Sequence, residues 1–501
     1  MRVQVSRRTF VAGTTATALS AVGAALLAAC GESKPAVVAA TAAPVTVAAT
    51  AARSPVATAA PAVTQAVAVQ PAAQLVPIRI RNKWTSGARG KAMQWMLASF
   101  AKKRPDILVQ FEPGEAETTG EHQIHFAAGT VAEVALISGP GFLQFRPYLV
   151  DVTDLLAKAG VNYEDYLFIP DHYSDNKIDH SFPAPQIMTG PQMGMPFQGS
   201  INGFLANTTL AEKLGVPLPS SEGSWTWDNW SEWDKKFTDP AAGTYGGWAR
   251  NDPQFFYWPQ LYTNGLKKYV NDALTKTMWD LPEVVEAYKY LLDKIFVHKV
   301  SPPAEAAKQL SAEFGDPFSS GKVGIVASGQ VYGTGNLLPR IGEKFKWTLL
   351  PAVTARQGTA PGHSWNIQPH VITLSAQRRG TVEQATALAM YFAGEEVQTR
   401  TGIDRGHMPI HKKALQAATS VAPPPDGMKW LVAYGLRPDK RQLVGWNTWE
   451  EWYSGHNAIA DKAFVGQQTA EQNIAAMQAY GAKILGAYDG PKPTVKAPVY
   501  P

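Results

Sequence analysis

Pro77-Ile78-Arg79-Ile80-Arg81 alternates apolar and charged residues, the two-residue period of a strand with one buried face. Met93, Met96, Leu97 and Phe100 then recur at helical spacing until Arg104-Pro105 stops the helix. A second strand opens at once and runs from Ile107 to Phe111. A helical stretch through His125-Phe126-Ala127-Ala128-Gly129 leads to Val134-Ala135-Leu136-Ile137, apolar throughout, as a strand covered on both faces requires. Strands alternating with helices predict a mainly parallel α/β sheet.

Upstream, Ser6-Arg7-Arg8-Thr9-Phe10 opens an uncharged apolar run that ends in Leu27-Ala28-Ala29-Cys30, and Cys30 is the only cysteine of 501 residues. Paired arginines, an apolar run and small residues before a cut site make an export signal of the twin-arginine kind. The pattern resembles a bacterial lipoprotein signal peptide. That resemblance implies that residues 1–29 are removed and that Cys30 is acylated as the mature N-terminus. An uncleaved anchor is the competing reading, since about 20 apolar residues span a bilayer. Either one puts the folded part outside the cytoplasm, as a membrane-anchored lipoprotein at the cell surface or in the periplasm.

Between residues 31 and 77 the chain has 17 Ala, 9 Val, 6 Pro and no aromatic residue. Such a segment buries too little area to offset backbone ordering, so residues 30–77 are expected to be a lipidated cysteine and flexible tether. The formal charge of +5 falls to +2 without Arg2, Arg7 and Arg8, because residues 1–29 contain no acid. That near-neutral balance gives no argument for a nucleic-acid partner or an anionic membrane surface, and no nucleic acid is expected.

The order of motifs is similar to the bacterial extracellular solute-binding proteins, family 1, the sugar-binding group of ABC importers. Ser99-Phe100-Ala101-Lys102-Lys103-Arg104-Pro105-Asp106-Ile107 resembles the family's helix-to-second-strand segment. Ala127-Ala128-Gly129-Thr130 before the apolar strand also matches, although Ala132-Glu133 stands where Pro-Asp is usual. Met193-Gly194-Met195-Pro196-Phe197, Ser224-Trp225-Thr226-Trp227-Asp228, Phe318-Ser319-Ser320-Gly321-Lys322-Val323-Gly324 and Ala389-Met390-Tyr391-Phe392-Ala393-Gly394 follow in the family's order. The resemblance implies an α/β periplasmic-binding-protein fold of type II, two lobes joined by three crossings with a cleft between them. It places the crossings near Phe197, near Leu349-Leu350-Pro351 and in residues 402–408. The N-terminal lobe is then 78–197 plus 351–402, and the C-terminal lobe 198–350 plus 403–501.

Thr226 suits a helix N-cap with Asp228 in the first turn, so Trp225, Trp227, Trp230 and Trp233 are read as core. Gly321-Lys322 fails as a phosphate loop, because Val323 stands where Ser or Thr binds Mg²⁺. His122 and His125 lack a third ligand, Gly199-Ser200-Ile201-Asn202-Gly203 lacks nucleophile-elbow spacing, and Glu450-Glu451 or Glu112, Glu115 and Glu117 are better read as exposed acids. No catalytic residue, metal or cofactor is expected. Sugars present flat C–H faces edged by hydroxyls, which rings and amides can match. Candidate contacts near strand ends and crossings are Trp84, Ser138, Gln198, Asn202, Trp248, Asn264, Tyr332 and Trp365, with Trp446 and Trp449 as runners-up.

The expectation is a monomeric substrate-binding lipoprotein that carries a mono- or oligosaccharide to ABC permease subunits. The alternatives are a binding protein for a peptide or polyamine, or a secreted carbohydrate-active enzyme.

Overall fold

The computed structural model describes residues 75–487, apart from 115–119, 138–144, 168–191, 222, 267–269, 272–274, 329–336, 363–364, 418, 420–421 and 437–447. The signal segment, Cys30 and nearly all of the tether lie outside the described residues. Among those described, no helix is long and apolar enough to cross a membrane.

The elements that position the site are, in chain order, β1 (Val76–Asn82), α1 (Gly87–Lys103), β2 (Ile107–Pro113), α2 (Gly120–Ala128), β3 (Val134–Leu136), β4 (Gly194–Ile201), β5 (Gly203–Asn207), α3 (Trp227–Phe237), α4 (Trp258–Thr263), α5 (Pro282–Phe296), β6 (Ile325–Ser328), β7 (Trp347–Leu350), β8 (Trp365–Ile372), α6 (Val382–Ala393), α7 (Trp449–Phe464) and α8 (Ala470–Ala487). They build the two-lobed α/β periplasmic-binding-protein fold.

The first lobe carries a sheet of order β2-β1-β3-β8-β4. β1 pairs in parallel with β2 and β3, and β8 runs antiparallel between β3 and β4. Alternation in β1 holds through its first half, where Ile78 and Ile80 are buried and Arg79 between them is partly covered, but it ends at Arg81, which is buried as well. Met93, Met96 and Phe100 of α1 and Leu388, Ala389 and Phe392 of α6 join the same core. Glu133, the residue at odds with the family's usual Pro-Asp, has no solvent exposure. Its carboxylate accepts from the Arg79 backbone N–H (2.7 Å) and from the Arg79 guanidinium, and lies 3.4 Å from Arg379. The longer side chain is therefore fully neutralised at the start of β3.

The second lobe carries a sheet of order β6-β5-β7, antiparallel throughout. Its two faces feed different cores, as the two-residue period of β5 dictates. Leu205 packs with Phe318 and Trp347, whereas Phe204 and Ala206 pack with Trp225, Trp230 and the helices α3, α4, α5, α7 and α8. Thr226 starts α3 in a capping box, its N–H donating to Asn229 Oδ1 at 3.0 Å. Trp225, Trp227 and Trp230 are buried as core, whereas Trp233, also expected there, is only partly buried and packs against it.

Strand pairing marks where the chain leaves one sheet for the other. β4 keeps pairing with β8 through Ile201↔Trp365, and β5 starts at Gly203, so the chain leaves the first sheet at Asn202, near the expected Phe197. The second begins as expected after β7, but Pro351 and Thr354 still bind the second lobe through Trp225 Nε1 and the Trp227 N–H. For the third, Met408 still bridges Gly199 and His411 bridges Tyr166, while Asp426 already lies beside Thr348. The chain therefore crosses between His411 and Asp426, after residues 402–408. Met408 and Ile410 hold that stretch against Gly199 of β4.

Candidate solute-binding site

Strands β4 and β8 form a ribbon that outruns the first sheet. β3 ends at Leu136, level with His370, but the ladder goes on through Gln198↔Gln368 and Gly199↔Ile367 to Ile201↔Trp365. Five further residues of β8 extend it by about 17 Å, to the start of the second lobe. Gly199 is needed there, because a Cβ would lie 2.9 Å from Ile410 and 3.1 Å from Ile367.

A closed polar cluster sits at the root of the ribbon. Asn82 Oδ1 accepts from the Trp84 N–H at 2.9 Å, and Asn82 Nδ2 donates to His370 Nε2 at 2.9 Å. Trp84 Nε1 donates to Gln198 Oε1 at 2.8 Å. The Trp84 ring packs 4.8 Å from both Phe197 and His407, and Phe197 lies 4.1 Å from His370. Burial pushes His370 down to about 3, helped by the neighbouring His407. His407 falls to about 3 for the same first reason, with Arg89 adding to it against a Met408 carbonyl contact. Both rings are neutral at physiological pH, so the cluster is a fixed, uncharged footing for the ribbon.

Across the passage, the ladder of the second sheet begins at Gly203↔Ser328. A cavity of about 260 Å³ opens beside it, lined by Ser328, Trp248, Arg250, Asp252, Asp316 and Arg340 over an apolar floor that includes Leu205 and Val326. Residues 245 and 246 deliver that wall by running beside the start of β6, the Ile325 N–H donating to Gly246 O at 2.8 Å. The Arg250 guanidinium lies 4.3 Å over the Trp248 ring and donates to Ala327 O (3.1 Å) and Asp252 Oδ2 (2.7 Å). Asp252 also caps the π-helical turn Pro253–Tyr257 through the Phe255 N–H. Asp316 caps the next short turn by accepting from Ser319 and sits 3.3 Å from Arg340. Each carboxylate is thus matched by an arginine, beside a ring and above an apolar floor. Such a wall suits a neutral, hydroxyl-rich solute better than a bare ion.

A profile of the bacterial extracellular solute-binding proteins matches residues 84–399. The chain belongs to this family. An uncharacterized lipoprotein in the oleD 5′ region of Streptomyces antibioticus is 22% identical over 419 residues, 81% of this chain and 85% of that protein. Among solved structures, an ABC substrate-binding protein of Listeria monocytogenes in complex with cycloalternan superposes with TM-score 0.66 at 21% identity, covering 82% of this chain and 100% of that one. Maltose-bound MalE3 of T. maritima gives 0.62 at 20% identity, with 82% and 99% covered. UgpB of Mycobacterium tuberculosis in complex with glycerophosphocholine gives 0.62 at 17% identity, with 82% and 98% covered. These likenesses confirm the fold.

In this member of the solute-binding family, the residues singled out from sequence fall into distinct places. Trp84 and Gln198 meet each other, but at 1% and 5% exposure both are enclosed at the ribbon root. Asn202 is the buried passage residue itself. Among the described candidates, Trp248 lines the cavity. Asn264 lies at the end of α4, donating to Glu283 O and Glu286 and accepting from Arg356, a network that fully engages its amide. Trp365 begins β8 opposite Ile201. Ser138, Tyr332 and Trp446 lie outside the described residues, and Trp449 is core in α7. His122 packs with Phe126 and Phe145, whereas His125 faces Thr130, so the two imidazoles have separate partners. Sequence reasoning missed Arg250, Asp316 and Arg340; the Trp-x-Arg-x-Asp spacing of residues 248–252 is the one signal that pointed to the first of them.

Proposed function

We propose that the chain captures a mono- or oligosaccharide in the cleft between its lobes and delivers it to the membrane subunits of an ABC importer, acting as a lipoprotein anchored through Cys30. The observation that carries this reading is the cavity at the second-sheet edge, where Trp248 stands beside two neutralised Arg–Asp pairs. A pyranose presents an apolar face to such a ring and hydroxyls to such a rim. Family membership supports the transport role, and the carbohydrate complexes among the structural relatives support the ligand class.

Asp252 and Asp316 are each committed to an arginine and to a turn, which leaves little uncompensated negative charge for a polyamine. Thermal unfolding of the purified protein against mono- and oligosaccharides, with peptides and polyamines as controls, tests the reading. A saccharide at 100 times its Kd should add about 2.7 kcal/mol of stability. A midpoint raised only by a charged solute would keep the binding role and remove the sugar. Glycan turnover would favour the enzyme alternative. For the anchor, Cys30→Ala should release the protein from the membrane fraction, and an unchanged distribution would contradict acylation.

A further inference from the structure

Asp234 of α3 and Lys294 of α5 form an ion pair of 2.6 Å with side chains 0% and 2% exposed. The ammonium also lies 3.9 Å from the Trp230 ring and 4.7 Å from the Tyr290 ring. Burial pushes the lysine down and the carboxyl up, and each is opposed by the other's charge. A buried pair of this kind adds little net stability, because desolvation offsets the attraction and apolar residues of similar volume serve as well.

Its connections lead to the cavity wall. Lys294 O accepts from the N–H groups of Val300 (2.9 Å) and Ser301 (3.3 Å). Val300 O in turn accepts from the Gly247 N–H at 3.1 Å, and Ser301 Oγ from the Ala249 N–H at 2.9 Å. On the other side, Thr238 Oγ1 donates to Asp234 O at 2.6 Å and accepts from the Gly246 N–H at 2.9 Å. Gly246 is pressed so close to α3 that a Cβ would lie 2.1 Å from Asp234 O. Trp248 therefore stands between two amides tied through one relay to Lys294, with Gly246 just before them tied to Asp234.

We propose that the Asp234–Lys294 pair is a positioning device for the solute cavity, fixing residues 246–249 so that Trp248 and Arg250 face a carbohydrate. This rests on the reading of that cavity as part of the solute site. The pair ties α3 to α5 beside Tyr290, whose hydroxyl donates to Trp227 O at 3.0 Å and whose ring stacks on Trp227 at 4.4 Å, and its two residues are the ones whose backbone carbonyls carry the relay to residues 246–249.

The test needs no solute. Asp234→Asn with Lys294→Met removes both charges and keeps the shapes. In the purified double variant, amide exchange at Gly247 and Ala249 should be about tenfold faster while the unfolding midpoint stays close to the parent's. Acrylamide quenching of Trp248, taken as the difference from Trp248→Phe, should rise with it. Unchanged exchange at these two amides, or exchange raised evenly across both lobes, overturns the proposal. Should the double variant fail to fold, Ser301→Ala cuts only the last link and should speed exchange at Ala249 and not at Gly247; no change there overturns the relay. With maltotriose as probe, the double variant should bind about tenfold more weakly than the parent, and equal affinity counts against the proposal. A parent that binds no saccharide sinks the carbohydrate reading and leaves the amides to decide the positioning.

Discussion

Lowering the pH from 7 to 5 should destabilise this protein by much more than its surface charge suggests. His370 and His407 at the ribbon root and His456 in the aromatic core of the second lobe are all fully enclosed, and burial pushes each down to about 3. His456 accepts from Tyr257 at 2.7 Å and stacks on Trp452 and Trp279. Below pH 6.5 the unfolded chain takes up a proton at each site, whereas the native rings stay neutral. The stability that these neutral rings contribute is complete above about 6.5 and is lost as pH falls from there toward 3. Each histidine then contributes about 1.4 kcal/mol per pH unit, or about 2 kcal/mol between pH 7 and 5, and the three together about 6 kcal/mol. That compares with a total of about 5–15 kcal/mol for an ordinary domain. Carboxylates titrate mostly below this window. Urea unfolding at half-unit pH steps measures the slope, read separately for any lobe that unfolds alone. His456→Gln should remove about a third of the loss, since it keeps an acceptor for Tyr257 without a titrating ring. A total change under about 2 kcal/mol between pH 7 and 5 would refute the reasoning.

Three other outcomes are expected. Glu133→Ala leaves the partly buried Arg79 without its main partner and should cost about 2–3 kcal/mol in unfolding experiments, with Glu112 limiting the loss. Gly362→Ala would place a Cβ 2.3 Å from Pro259 O and 2.5 Å from Thr263 N, so about 1–3 kcal/mol of stability should disappear as the second passage is forced off α4. Trp248→Ala should weaken saccharide binding about thirtyfold, as loss of a central ring contact does, with little change in the unfolding of the protein alone; calorimetric titration decides it.

Local pattern made the first elements of the first lobe legible but not the strand sense: a mainly parallel sheet was expected, whereas β8 runs antiparallel between β3 and β4 and the second sheet is antiparallel throughout. Ile78 and Ile80 face one core, Met93, Met96 and Phe100 make one helical face, and the all-apolar run at Val134 is a strand buried on both sides. Thr226 and the tryptophans around it read correctly as a cap and a core because caps and apolar spacing are local signals. The passages were less legible, since where β4 stops depends on how long β8 stays beside it, and no neighbour in sequence reports that. Trp84 shows the same limit at the site. A tryptophan after a strand end suits a sugar platform as well as a footing, and its partner Gln198 lies 114 residues away, beyond any local pattern. Asn264 stood among the candidate contacts, and its amide is bonded to Arg356 and Glu286, 92 and 22 residues away in sequence. The Trp248 wall was partly visible, but its arginines gain their meaning only from Ala327, Asp252 and Asp316, which the fold brings to them.

Small-angle scattering with acrylamide quenching, on the protein alone and with each saccharide that raises its midpoint, tests the account most directly. Closure of two lobes over a bound sugar predicts a smaller radius of gyration and protection of Trp248 in the same titration. A saccharide that binds with neither change, or compaction driven only by a charged solute, would contradict it.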